Sequence, residues 1–214
     1  MRGQIRRAGD QALLVCPMDP DELLDVVQLL REAELPQIAD LLPAAETVLV
    51  TLRPGVAATT AEAEVRRTLA QPSAARAGAD HDDHDDEEEV VIPVRYDGED
   101  LADVAGLLGT SVDEVVAEHT SRTWRCRFIG FTAGFGYLES DRPGLVLPRR
   151  EQSRTAVPAG AVALADGYSA VYPRRAPGGW QLIGTTELAM FDLGRTPPAL
   201  LRPGTRVRFV RAEA

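Results

Sequence analysis

Phe128-Ile129-Gly130-Phe131-Thr132-Ala133-Gly134-Phe135-Gly136-Tyr137-Leu138 opens the stretch on which the fold turns. Glycines alternate with aromatics there, and the same mixture returns in Pro158-Ala159-Gly160 and Pro177-Gly178-Gly179-Trp180-Gln181-Leu182-Ile183-Gly184. Glycines at this density serve tight turns, or let a backbone approach a ligand or another chain closely. Between the glycine runs lie Pro148-Arg149-Arg150 and Ser153-Arg154. Clustered guanidinium groups offer bidentate donors to carboxylate or phosphate, though an arginine loop can equally be a solvated surface. Trp180 and Gln181 read either as the floor of a pocket or as core packing.

Outward from this block, the chain after Arg122 breaks into short apolar runs punctuated by Gly and Pro. Residues 124–129, 161–165, 170–172, 180–183, 188–191 and 206–210 read as strands, which implies a sheet sandwich or a small closed barrel. Immediately upstream, residues 99–119 read as helix, tight turn, helix, with Ser111 and Glu114 spaced as a capping box. The pattern imitates a DNA-binding helix-turn-helix, but residues 99–118 hold six acids and no arginine. Phosphates would repel that surface, so no nucleic-acid partner is expected.

The first 72 residues alternate differently. Ile5-Arg6-Arg7 and Ala12-Leu13-Leu14-Val15 read as a hairpin about Gly9-Asp10. A helix follows, with Asp19 as N-cap, Pro20 in its first turn and an apolar stripe at Leu23, Val26, Val27, Leu30 and Ala33. Residues 38–42 and 47–52 read as strands, and Thr59 with Glu62 as a capping box ahead of a helix running to about Ala70. Strands and helices in this order predict a small α+β domain over residues 1–72.

Residues 80–89 hold eight acids, and a like-charge block of this kind predicts a solvated linker over residues 73–89. His81 and His84 lie in it, but an acidic tract supplies ligands without fixed geometry, and no metal site is expected. Charge divides along the chain: 26 acids against 9 arginines up to residue 119, then 7 against 14. Every one of the 23 basic residues is arginine. A lysine Schiff base and a Walker A phosphate loop are thereby excluded. No apolar run approaches the ~18–20 residues of a membrane span. The two isolated cysteines predict no disulfide framework, and a cytoplasmic protein is expected. His119 is the only histidine outside the acidic tract. At a helix C-terminus it reads as a cap, and the helix dipole is expected to raise its pKa.

Taken together, Gly130 through Leu138, Pro148-Arg149-Arg150, Arg154-Thr155-Ala156-Val157-Pro158-Ala159-Gly160, Tyr172-Pro173 and Pro177 through Gly184 resemble the allophanate hydrolase subunit 1 family. The same family is known as the B component of 5-oxoprolinase, or as the Kip-type kinase inhibitors. The opening Ala8-Gly9-Asp10-Gln11-Ala12-Leu13-Leu14 and the closing Arg206-Val207-Arg208-Phe209 are similar to the family's first and last strands, and the acidic tract looks like an insertion. Within the block, Ala133, Gly136, Ala161 and Thr185 depart from the family's usual residues.

The resemblance implies an α+β fold class: a small N-terminal α+β domain, then a cyclophilin-like β-barrel over residues 90–214. It implies a carboxyltransferase-like component of an ATP-dependent 5-oxoprolinase, opening 5-oxoproline to glutamate and inactive alone. Its partners would be the A component and the C component, the latter similar to allophanate hydrolase subunit 2. ATP would be used by the complex, with no biotin or metal on this chain. Catalytic roles would fall on His119 and Arg154. Substrate contacts would come from Arg149, Arg150, Pro158, Ala159, Gly160, Gly179, Trp180 and Gln181. Two other activities belong to the same resemblance: a urea carboxylase-type carboxyl transfer, and non-enzymatic inhibition of a histidine kinase.

Overall fold

The computed structural model describes residues 3–71 and 89–212, and the chain divides into two compact units, Met1–Asp86 and Glu87–Ala214. The expected linker therefore lies outside the described residues, save for Glu89, and so do His81 and His84.

In the first unit, β1 (Gly3–Arg7) and β2 (Ala12–Pro17) form the expected hairpin, and β3 (Ile38–Pro43) and β4 (Val48–Leu52) complete a four-stranded sheet in the order β1-β2-β4-β3. Alternate residues of β2 and β4 enter one core with Leu23, Val26, Val27 and Leu30 of α1 (Leu23–Glu32) and Ala61, Val65 and Leu69 of α2 (Ala58–Ala70). Two details differ from the sequence reading. Asp19 accepts the amide N–H of Asp21 at 3.0 Å and so caps a 3-10 turn, Pro20–Glu22, that precedes α1; Ala33 is its exposed C-cap. The capping box at Thr59 does not form, because α2 has already begun at Ala58 with Ala57 as an uncapped N-cap. Glu62 instead pairs with Arg66 at 2.9 Å and Arg7 at 3.5 Å.

The second unit is a seven-stranded sheet in the order β12-β9-β10-β7-β6-β13-β5. Its strands are β5 (Val90–Val94), β6 (Trp124–Ile129), β7 (Gly136–Ser140), β9 (Ala161–Ala165), β10 (Tyr168–Val171), β12 (Gln181–Thr185) and β13 (Arg206–Arg211). Its two edges come together where Arg95 and Thr185 exchange backbone hydrogen bonds of 2.8 Å in each direction, which nearly closes a barrel. A short ribbon, β8 (Arg154–Val157) with β11 (Ala176–Gly178), covers one face.

Strand β7 begins inside the glycine block, where no strand was expected; residues 188–191 make only an isolated bridge, Phe191 to Ala199. Helices α3 (Leu101–Leu108) and α4 (Val112–Thr120) flank the expected turn, at which Gly109 takes a left-handed φ of 66°. Ser111 and Glu114 form the full capping box.

Side chains alternate between the two faces of a strand, and here the alternation builds two cores. Val162, Leu164, Val171, Leu138, Trp124, Cys126, Val207 and Phe209 turn to the face packed by α3 and α4. Ala161, Ala163, Ala165, Ala170, Tyr137, Tyr168 and Leu182 turn to the other, where Phe135, Tyr172, Trp180 and the β8–β11 ribbon lie. The alanines leave room for the ribbon and the rings.

Candidate functional site

Asp100 organises the arginine loop. It precedes α3, is 2% exposed, and its Oδ1 accepts from Arg150 Nη1 and, at 2.7 Å, from Arg154 Nη2. Its Oδ2 accepts the amide of Leu182 at 2.7 Å, while its own amide donates to the Leu182 carbonyl at 3.0 Å. One buried carboxylate thus ties a helix start, a barrel strand and two guanidinium groups together, and its contacts raise the pKa of Arg154 further. A carboxylate so deep needs such partners, because burying it unpaired costs several kcal/mol. Glu99 adds a contact to Arg154 at 3.3 Å. Among the described residues, Arg154 Nη1 and Arg150 Nε are buried and have no acceptor.

The Gly178-Gly179-Trp180-Gln181 strip lies alongside. The amide of Arg150 donates to the Gly179 carbonyl at 2.7 Å, and Gln181 Nε2 donates to the Pro148 carbonyl at 3.0 Å. Any Cβ at Gly178 would overlap the Tyr172 hydroxyl, and one at Gly179 would stand 2.8 Å from Ser153 Oγ. These two glycines are thus required by close approach within the chain.

Trp180 is buried in an aromatic wall, its ring 5.5 Å from both Phe135 and Tyr137, and Tyr137 stacks on Phe128 at 4.2 Å. Burial raises the pKa of the Tyr137 and Tyr172 hydroxyls. The charge of Arg149 opposes that rise in both, and Arg154 opposes it in Tyr172, which brings these groups into one neighbourhood. Arg149 itself pairs with Asp166 at 2.9 Å.

The Pro158-Ala159-Gly160 turn joins this face to a cleft at the barrel seam. Gly160, at a φ of 80°, donates to the Tyr172 carbonyl and accepts from the Thr186 amide, both at 2.8 Å. Thr186 lines this cleft, of about 430 Å³, with Pro93, Arg95, Thr185, Glu187 and Leu188.

His119 lies elsewhere. It is 0% exposed at the end of α4, with Nδ1 2.8 Å from Tyr96 Oη and Nε2 2.9 Å from Ser169 Oγ. Its ring centre is 4.3 Å from that of Phe209, and its carbonyl accepts Trp124 Nε1 at 3.1 Å. Burial, reinforced by the nearby Arg122, pushes its pKa down to about 3, the reverse of the rise expected from the helix dipole. Desolvation of an imidazolium in an aromatic core outweighs a terminal dipole worth at most ~2 kcal/mol. Ser169 sits between Tyr168 and Ala170 on β10, whose side chains belong to the opposite core. His119 therefore lies on the face packed by α3 and α4, opposite the core that holds Tyr168, Ala170 and Trp180.

The structure brings together Arg149, Arg150, Arg154, Gly179, Trp180 and Gln181, with the Pro158-Ala159-Gly160 turn at their border. Sequence reasoning missed Asp100, Tyr137 and Tyr172. Asp100 read as one of six acids of the helix, turn, helix segment, and nothing local marks it as buried.

By architecture the second unit is a cyclophilin-like α+β barrel, its outer face bearing two arginines clamped by a carboxylate beside an aromatic wall. The chain belongs to the family described as carboxyltransferase domain, subdomain C and D, whose model matches residues 3–201. A curated relative, the 5-oxoprolinase B component of Escherichia coli O157:H7, is 48% identical over 124 residues, covering 56% of this chain and 57% of the relative. The chain thus matches little more than half the length of that relative. The solved structure of TTHA0988 is 34% identical with a TM-score of 0.77, covering 99% of this chain and 41% of that one. Urea carboxylase of Kluyveromyces lactis shares the fold alone, at 15% identity and a TM-score of 0.71 over 98% of this chain and 22% of its own. Among the described residues no helix is long and apolar enough to cross a membrane.

Proposed function

We propose that this chain is the B component of an ATP-dependent 5-oxoprolinase-type complex, cytoplasmic and active only with the A and C components. The observation that carries the reading is the 48% identity to a protein of that name. The reaction opens a five-membered lactam: water adds to the ring carbonyl, the C–N bond breaks, and an amine and a carboxylate result, driven by hydrolysis of ATP. The substrate carries a carboxylate, and any phosphorylated lactam adds more negative charge. Arg149 and Arg154, beside the Tyr137 and Tyr172 hydroxyls, supply positive charge and donors for such groups.

Asp100 acts as a positioning residue in this scheme, since it fixes Arg154 before a ligand arrives. His119 supports β10 and α4 from behind the sheet and contributes through packing, because a neutral, wholly buried ring cannot reach a ligand on the outer face. ATP is a substrate of the assembled complex and is not assigned to this chain.

Co-expression with the A and C components tests the reading through 5-oxoproline-dependent ATP hydrolysis. Turnover that needs this chain supports it, and equal turnover without the chain refutes it. The family description favours a second reading, carboxyl transfer in a urea carboxylase-type system. That reading predicts dependence on a biotin-bearing partner, which avidin would abolish.

A further inference from the structure

Between β6 and β7 the chain reverses through a tight loop closed by Gly130 N–H to the Phe135 carbonyl at 3.1 Å and Phe135 N–H to the Thr132 carbonyl at 3.0 Å. At its tip, Thr132 N–H donates to the Gly130 carbonyl at 2.6 Å, so Phe131 is the central residue of a three-residue γ-turn. Its φ is 61°. A γ-turn with positive φ at its centre is rare and strained, and for a bulky side chain this backbone region is an outlier. A glycine there would carry no such strain, yet the position holds a phenylalanine whose side chain is turned largely to water, at 59% exposed. Its ring meets the Phe135 and Tyr172 rings in T-shaped contacts, at 5.4 and 6.5 Å between centres. The core gains little from a ring held this way.

Two neighbouring features extend the surface. Gly134 packs so closely on Phe191 that a Cβ would come within 2.7 Å of the Phe191 Cβ. Two residues beyond Phe191, Leu193 is 84% exposed on a loop fixed by Arg195, which donates to the carbonyls of Ala189 and Met190 at 3.2 Å and Pro198 at 2.8 Å. On the other side, Tyr172 leads through Pro173 into Arg174 and Arg175, which are exposed and make no ion pair among the described residues. Two apolar knobs on rigid loops, flanked by free cations, are the anatomy of an interface anchor: a buried aromatic surrounded by a charged rim.

We propose that Phe131 and Leu193 dock into an apolar pocket on another protein chain whose rim carries carboxylates facing Arg174 and Arg175. A protein occupant is favoured because this fold makes up 41% of the TTHA0988 chain and 22% of the urea carboxylase chain, where further polypeptide accompanies it. The inference rests on the complex proposed above, and the C component of the same source is the probe.

Calorimetric titration of the C component into the unaltered chain, Phe131→Ser, Leu193→Ser, the pair Arg174→Glu with Arg175→Glu, and a control, Leu107→Ser on α3, tests it. Phe131→Ser weakens binding at least ~30-fold and Leu193→Ser about 5-fold, by the ordinary behaviour of interface anchors and their neighbours. The charge reversal weakens binding about 10-fold in roughly 50 mM salt and less in roughly 500 mM, as rim charges do. Leu107→Ser changes nothing. The melting temperature of Phe131→Ser stays within about 3 °C of the unaltered chain, since the ring is an anchor and not a core element. Binding by Phe131→Ser and the charge reversal within twofold of the unaltered chain would overturn the inference and leave the proposed complex standing. So would a fall of ~8 °C or more in Phe131→Ser, which makes the ring part of the fold. Failure of the unaltered chain to bind the C component would overturn both.

Discussion

Acidification from pH 7 to pH 5 should weaken the second unit through His119 alone. The ring is wholly buried, neutral, and held at a pKa of about 3, whereas in the unfolded chain it returns to its ordinary value of 6.5. A depressed histidine pKa means that the unfolded state binds the proton more readily. Stability is therefore fully present above 6.5 and is lost as pH falls from there towards 3. Integrating proton uptake between pH 7 and pH 5 gives a loss of about 2 kcal/mol, and the same sum reaches about 2.5 kcal/mol at pH 4.5. Glu114, held at about 2 by Thr110 and Ser111, separates from its ordinary value only below about pH 5 and adds little in this window. Both tryptophans, Trp124 and Trp180, lie in the second unit, and Trp124 is 5.1 Å from the His119 ring, so urea unfolding followed by tryptophan fluorescence reports this unit selectively. The comparison is with His119→Gln. That variant is less stable at pH 7, having lost its aromatic contacts, but its stability should change about 2 kcal/mol less between pH 7 and pH 5 than that of the unaltered chain. Equal pH dependence in the two proteins would refute the burial argument and restore a solvent-reachable imidazole.

Other residues give independent tests. Asp100→Asn leaves two arginines facing a neutral amide in a buried position and should cost about 3 kcal/mol of stability by chemical denaturation, together with loss of complex activity. Gly178→Ala drives a methyl group into the Tyr172 hydroxyl and should destabilise by about 2 kcal/mol; adding Tyr172→Phe, which removes the struck oxygen, should recover at least half of that in a double-mutant cycle. Ser111→Ala removes half of the capping box of α4 and should cost about 1 kcal/mol without touching activity.

What could be read from the sequence was local. The Ser111 and Glu114 box formed because its partners are three residues apart on one helix start, whereas the similar pair at Thr59 and Glu62 failed because α2 begins two residues earlier than that box requires, with Ala57 as its N-cap. Strand β7 hid inside a glycine run: Gly136 pairs with Ile129 in the sheet, Leu201 Cδ1 and Cys126 Sγ lie where its side chain would go, and such crowding is invisible without the neighbouring strands. Residues 188–191 have the right apolar composition but find only one bridging partner. The arginine cluster was legible from its spacing. Its organising carboxylate was not, because Asp100 meets residues 50 and more positions away. His119 shows the same limit: a helix end is read locally, but burial between Tyr96, Trp124, Ser169 and Phe209 is made by the whole barrel, and burial decides its charge.

The proposed role is tested most directly by 5-oxoproline-dependent ATP hydrolysis in a complex reconstituted from the A and C components with this chain, with its Arg154→Ala variant, or with neither. Turnover is predicted with the unaltered chain, a loss of at least ~100-fold with Arg154→Ala, and none without the chain, since one positioned donor to a developing charge is worth ~10²–10³ in rate. Full turnover in the absence of this chain, or with Arg154→Ala, would contradict that role.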